Sequence, residues 1–160
     1  MGLINTDTIT GSPTCVAAGA HANVGTYAIT CSGADAGPNY AIGYLPGTLT
    51  VTGATLTVTA ADQTKVYGAS DPAFSFGISG LTNGDTTAVV TSPPTCTVIG
   101  GHTAAGSYTI GCSGGSAGGN YTIAYQVGTL TVGKAPLSIT AVDRSVTFGD
   151  ADPVFSFMPP

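Results

Sequence analysis

Four cysteines offer the clearest chemistry in this chain. Cys15 and Cys31 are separated by 16 positions, and so are Cys96 and Cys112 (31 − 15 = 16; 112 − 96 = 16). Each pair sits in apolar and Thr-rich sequence on either side of a Gly/Ala-rich loop. The spacing predicts a disulfide across a hairpin in each case, closing about 15 residues and worth on the order of 3 kcal/mol in the chain-entropy account. Zinc is the rival chemistry, because His21 and His102 each follow a cysteine by six positions (21 − 15 = 6; 102 − 96 = 6). A Cys-Cys-His set lacks a fourth ligand and the paired C-x-x-C spacing of structural sites. The expectation is therefore two disulfides, no metal, no cofactor, and histidines exposed in the hairpin loops.

Other reactive types are sparse. There is no Glu, and the eight acidic residues are all Asp, so catalysis would rest on Asp and two loop histidines; no catalytic residue is expected. Asp150-Ala151-Asp152 has carboxylates to offer calcium, but Asp in such turns ordinarily bonds backbone N–H groups, and the comparable Ala69-Ser70-Asp71 has lost a carboxylate. A self-formed isopeptide at Lys65 fails because the matching position is Val146. Asn120-Tyr121-Thr122 has the form of a glycosylation sequon, whereas its counterpart Asn39-Tyr40-Ala41 does not, which favours a structural role for Asn-Tyr at a turn into a strand. Tyr67, Tyr108, Tyr121 and Phe148 are read as core residues rather than as a ligand surface.

The elements that must position these residues are strands. Thr55–Ala60, Ala73–Ile78, Ser107–Ile110, Tyr121–Tyr125 and Thr129–Val132 alternate apolar residues with Thr, Ser or other small residues, the period of a half-buried strand. Thr on the outer face keeps β propensity high without charge. Asp71-Pro72, Asn83-Gly84-Asp85, Ser92-Pro93-Pro94 and Gly118-Gly119-Asn120 supply turn chemistry between them. No segment supports a helix. The fold class expected is all-β, with six or seven short antiparallel strands per unit in an immunoglobulin-like two-sheet sandwich.

The units repeat. Cys15, Cys31, Tyr40, Leu56, Asp62, Gly68 and Phe76 recur as Cys96, Cys112, Tyr121, Leu137, Asp143, Gly149 and Phe157, each 81 positions later (96 − 15 = 81). A period of about 81 residues divides the chain into residues 1–54, the later part of a unit without its first strands; 55–133, a complete unit; and 134–160, the opening strands of a further unit.

Composition excludes several classes. With three Lys plus Arg and a formal net charge of −5, the chain cannot build the basic footprint that nucleic acid requires. No apolar run approaches the roughly 18 residues that a membrane span needs. No basic segment followed by an apolar one opens the chain as a signal peptide would. The sequence is 42% hydrophobic but only 7% charged, so its surface must be largely Thr, Ser, Gly and backbone.

Several short signatures occur in order: Leu56-Thr57-Val58-Thr59-Ala60, Lys65-Val66-Tyr67-Gly68, Asp71-Pro72-Ala73-Phe74, Gly80–Thr86, Ala105–Ile110, Gly119–Ile123 and Gly128–Val132. Partial copies stand at Gly2–Thr8, Val24–Thr30 and Phe148–Pro153. Together they resemble the MBG-type repeat of large bacterial surface proteins and adhesins. The resemblance implies a tandem extracellular module serving as stalk or adhesive array, with no catalytic residue, and the cysteine pairs depart from commoner cysteine-free versions.

Two functions follow as expectations. One is an extracellular, cell-surface structural protein that forms a filament or stalk as a head-to-tail homo-oligomer; the other is an adhesin module whose ligand is a glycan or protein. For the filament, residues 136–157 would complete residues 1–54 of another copy, with Leu137, Ile139, Val146, Phe148, Phe155 and Phe157 on the donated strands. Closure within one chain is disfavoured, because Val132 to Pro136 is a linker of about four residues spanning at most roughly 14 Å. The other possibility is a piece of a longer covalent array cut out of phase.

Overall fold

The computed structural model describes residues 2–158. Among these described residues fourteen short strands carry the architecture. Three precede residue 54: β1 (Thr14–Ala17), β2 (Gly25–Ser32) and β3 (Gly47–Val51). Nine follow: β4 (Ala54–Ala60), β5 (Gln63–Val66), β6 (Phe76–Ser79), β7 (Val90–Ser92), β8 (Thr95–Val98), β9 (Gly106–Ser113), β10 (Ser116–Ala117), β11 (Tyr121–Gln126) and β12 (Gly128–Gly133). β13 (Thr140–Ala141) and β14 (Phe157–Met158) are two residues each. The chain is all-β; among the described residues the helical content is one 3-10 turn, Thr87–Val89.

The middle segment forms a two-sheet sandwich. One sheet runs β11-β4-β6 and the other β5-β12-β9-β8, with β10-β7 as a small ribbon. The alternation explains the burial. Along β4, Leu56, Val58 and Ala60 are buried while Thr55 is exposed, and along β12 Leu130 and Val132 are buried while Thr129 and Thr131 face water. Leu56, Val58, Ile110 and Leu130 have no exposed area, each side chain contributing about 1.5–3 kcal/mol by leaving water. Val58 and Ala60 from one sheet meet Cys96, Ile110, Cys112, Leu130 and Val132 from the other. Phe74, Phe76, Ile78 and Tyr108 close the edges.

Strand direction departs from the antiparallel expectation. β11 pairs with β4 and β12 with β5 in parallel, the registers including Ile123↔Leu56 and Val132↔Lys65. A parallel pair needs a long crossover, and the whole intervening unit supplies it. The opening strands β4 and β5 are thus held by the closing strands β11 and β12. The strand expected over Ala73–Ile78 begins only at Phe76. Gly80, with φ of +90°, allows the exit from β6: a Cβ there would collide with the Thr55 carbonyl oxygen.

Residues 2–51 form a smaller arrangement. β1, β2 and β3 make one antiparallel sheet, with Cys15↔Cys31 opposite each other as Cys96↔Cys112 are in β8 and β9. No described residue of this segment reaches the burial of the middle segment's core. Tyr40-Ala41-Ile42-Gly43-Tyr44-Leu45 is irregular, whereas the like sequence Tyr121–Gln126 is strand β11. The difference is a partner, since β11 runs beside β4.

Aromatic placement corrects one expectation. Tyr121 is buried and Tyr108 borders the core, but Tyr67 is 54% exposed and Phe148 lies fully in solvent. Tyr67 follows β5 on the turn at Gly68, beyond the sheet's covered face. Phe148 belongs to a segment that has no second sheet over it.

Candidate functional site

Four cysteines are brought together as two disulfides, Cys15–Cys31 and Cys96–Cys112, each bridging directly opposed strand residues. The second is buried at the core's edge, while Cys15 is exposed and Cys31 half-buried. Neither histidine belongs to a sulfur site. His21 and His102 lie edge-on to Tyr27 and Tyr108, with ring centres 6.1 and 6.0 Å apart. Tyr27 donates to the Asn23 carbonyl at 2.8 Å and Tyr108 to the Ala104 carbonyl at 2.9 Å, so each tyrosine braces its hairpin loop.

His102 is not simply exposed. Its Nε2 lies 2.8 Å from Oδ2 of Asp71, and Lys65 Nζ lies 2.6 Å from Oδ1 of the same carboxylate. His102 Nδ1 faces the Gly100 carbonyl oxygen at 3.2 Å. The Lys65 ammonium, and after it His102, hold the Asp71 carboxyl below the usual carboxylate range. Lys65 and Asp71 therefore form an ion pair that ties β5 to the turn after it, and the Asp71–His102 contact ties that turn to the β8–β9 loop. A Lys, an Asp and a His meet here, but among the described residues no hydroxyl or thiol nucleophile joins them at hydrogen-bond distance. Sequence reasoning saw each residue alone; the histidine's recurrence at fixed spacing from its cysteine was the available signal.

A second polar contact connects the first and middle segments. Asn120 Oδ1 accepts the Val24 N–H at 2.9 Å, and its Nδ2 donates to Asn23 Oδ1 at 2.9 Å. The Asn120 carbonyl accepts the Ala54 N–H at 2.9 Å. The amide of the sequon-like Asn120 is thus engaged by backbone and side-chain partners, in keeping with its structural reading.

An apolar feature lies in the first segment. A cavity of about 550 Å³ is lined by Leu3, Ile4, Ile9, Tyr40, Ala41 and Ile42, among others. Tyr40 organises its rim: the hydroxyl accepts the Ile4 N–H at 3.0 Å and donates to Asp7 Oδ2 at 2.8 Å. Tyr121 makes the matching set in the middle segment, accepting the Thr82 N–H at 3.1 Å and donating to Asp85 Oδ2 at 2.8 Å. There Leu56 of β4, which is fully buried, stands opposite Ile123 in the parallel register.

The residues expected on donated strands lie at the opposite end of the sequence. Leu137, Ile139, Val146, Phe148, Phe155 and Phe157 are all exposed, Leu137 by 71% and Ile139 by 63%. Among the described residues β13 and β14 pair only with each other, in the register Thr140↔Met158 and Ala141↔Phe157. β4 and β6 show that same register as Thr59↔Gly77 and Ala60↔Phe76. Arg144 donates to Ser156 Oγ at 3.1 Å, and Asp150 N–H closes a turn onto the Thr147 carbonyl at 3.0 Å.

Among the described residues no helix is long and apolar enough to cross a membrane. Comparison with curated proteins and with solved structures finds no significant match. The family model of the MBG domain (YGX type) matches residues 1–50 and 56–131, and the second match includes Tyr67-Gly68-Ala69. The chain belongs to the YGX-type MBG domain family, a repeat module of surface proteins.

Proposed function

We propose that this chain is an extracellular structural repeat protein that builds a surface filament or stalk by head-to-tail strand donation, without catalytic activity. In this reading residues 55–133 are a complete unit, residues 134–160 are opening strands, and these complete the sheet of residues 1–54 in a neighbouring copy. One contrast carries the proposal: Leu56 has no exposed area, while Leu137, at the matching place of a like sequence, is 71% exposed. An apolar strand without a sheet and an apolar cavity without a covering strand form a complementary pair. The cavity beside Ile42 corresponds to the seat of Leu56 beside Ile123. Because donor and acceptor are different surfaces, the contact is heterologous and continues as an open fibre. The disulfides suit an oxidising, extracellular setting.

Negative-stain microscopy and analytical sedimentation of the 160-residue protein test the proposal against a variant lacking residues 136–160. Linear polymers of the full chain, lost on truncation, are expected. Polymers of unchanged repeat spacing after truncation, or a full chain that stays monomeric at high concentration, would remove strand donation from consideration.

A further inference from the structure

Resting on the strand-donation reading, we infer that the joint between two copies has a single register, in which Asp152 of the donor pairs with His21 of the acceptor as Asp71 pairs with His102 within one chain. The partner of the open cavity is then a second copy of this chain, recognised by a polar side-chain contact as well as by apolar fit. The middle segment already makes the corresponding contacts within one chain. There the turn carrying Asp71 reaches the β8–β9 loop and places Oδ2 2.8 Å from His102 Nε2. Asp152 stands 81 positions after Asp71, and His21 stands 81 positions before His102 (152 − 71 = 81; 102 − 21 = 81).

The acceptor is already shaped for this contact. His21 Nδ1 faces the Gly19 carbonyl oxygen at 3.3 Å and its ring lies edge-on to Tyr27, the arrangement His102 has with Gly100 and Tyr108. Its Nε2 edge is therefore the one left to meet a carboxylate. One difference sets the joint apart from its internal counterpart: Val146 stands where Lys65 stands, so the joint's carboxylate is bound by the histidine without the lysine.

The same transfer predicts backbone pairing. Ile123↔Leu56 in β11 and β4 becomes Ile42↔Leu137 across the joint, which lowers Leu137 into the cavity lined by Leu3, Ile4 and Ile42. Thr131↔Thr64 in β12 and β5 becomes Thr50↔Ser145. Thr131 and Thr64 both face solvent, so cysteines at Thr50 and Ser145 would meet on the outer face without disturbing the core.

Two single-cysteine additions, Thr50→Cys and Ser145→Cys, are made in the full chain, mixed and oxidised, and the cross-links are mapped by mass spectrometry. A disulfide joining position 50 of one copy to position 145 of another is expected, with Thr48→Cys plus Ser145→Cys giving little. His21→Ala and Asp152→Asn should each weaken polymerisation by about two- to fivefold, the range of an exposed ion pair, and the double variant should lose no more than either single one. Polymers that form without the 50–145 link, or with additive losses in the double variant, overturn this register while leaving strand donation intact. A 50–145 link formed within one monomer in a doubly substituted chain, or a protein that never associates, overturns both readings.

Discussion

Nε2 of His102 lies 2.8 Å from one oxygen of Asp71 while Lys65 Nζ lies 2.6 Å from the other, so one carboxylate joins strand β5 to the β8–β9 loop. Lys65 first, then His102, depresses the Asp71 carboxyl. A carboxyl with a lowered folded-state value stabilises fully above the unfolded value of about 4 and loses that contribution as pH falls through the folded one. The melting temperature of the native protein should therefore exceed that of Asp71→Asn at neutral pH, and the gap should close below about pH 4. Because the group is exposed, the gap should be small. A gap that widens on acidification would contradict the assignment.

Leu56 and Leu137 provide a stability contrast. Leu56→Ala opens a hole in a closed core and should cost about 2–5 kcal/mol in denaturant melts. Leu137→Ala, measured at concentrations too low for association, should change stability by less than about 0.5 kcal/mol, as surface substitutions do. Comparable losses at both positions would mean that residues 134–158 are seated within their own chain.

The two disulfides should differ in how readily they open. Cys96 and Cys112 are buried at the core's edge while Cys15 is exposed, and exchange requires access to a sulfur. Graded reduction followed by alkylation and mass mapping should label Cys15 and Cys31 first. Replacing Cys96 and Cys112 together with Ser should lower stability by about 3 kcal/mol through loop entropy. Cross-labelled pairs such as Cys15 with Cys96, or four free thiols in the native protein, would be incompatible with this pairing.

Asn120→Ala should loosen the contact between the first and middle segments while leaving the core alone. The Val24 amide, which donates to Asn120 Oδ1 at 2.9 Å, should exchange with solvent faster, and global stability should fall by about 1–2 kcal/mol or less, as for the two exposed hydrogen bonds that are lost. Unchanged exchange at Val24 would show that another group protects it.

Phe74 and Phe76 border the core from the β6 side while Ser75 between them is exposed. Truncating either to Ala should cost about 2–3 kcal/mol, below the full value of a buried phenylalanine because both are half-buried. Ser75→Ala should cost little, and equal losses at the three positions would indicate a different strand face.

Local pattern was enough for the strand faces. Leu56, Val58 and Ala60 alternate with Thr, and that period alone names the buried side of β4, because successive side chains on an extended backbone point to opposite faces. The spacing of the cysteines on either side of a Gly-rich loop was similarly readable, since opposed positions of a hairpin follow from chain geometry. The family signatures, from Lys65-Val66-Tyr67-Gly68 to Gly128–Val132, were also written in local order.

Pairing across distance was not readable, and it decides which like sequences become alike in structure. Tyr40–Leu45 and Tyr121–Gln126 share a pattern, yet only the second is a strand, because β4 runs beside it in parallel. Parallel pairing depends on where a long crossover returns, which no local period encodes. The meeting of Asp71 with His102, 31 positions apart, likewise depends on two loops reaching one end of the sandwich. Leu137 is apolar wherever it stands; whether it is core or surface is settled by the sheet that covers it, since burial is a property of neighbours brought together by the fold and not of the residue alone.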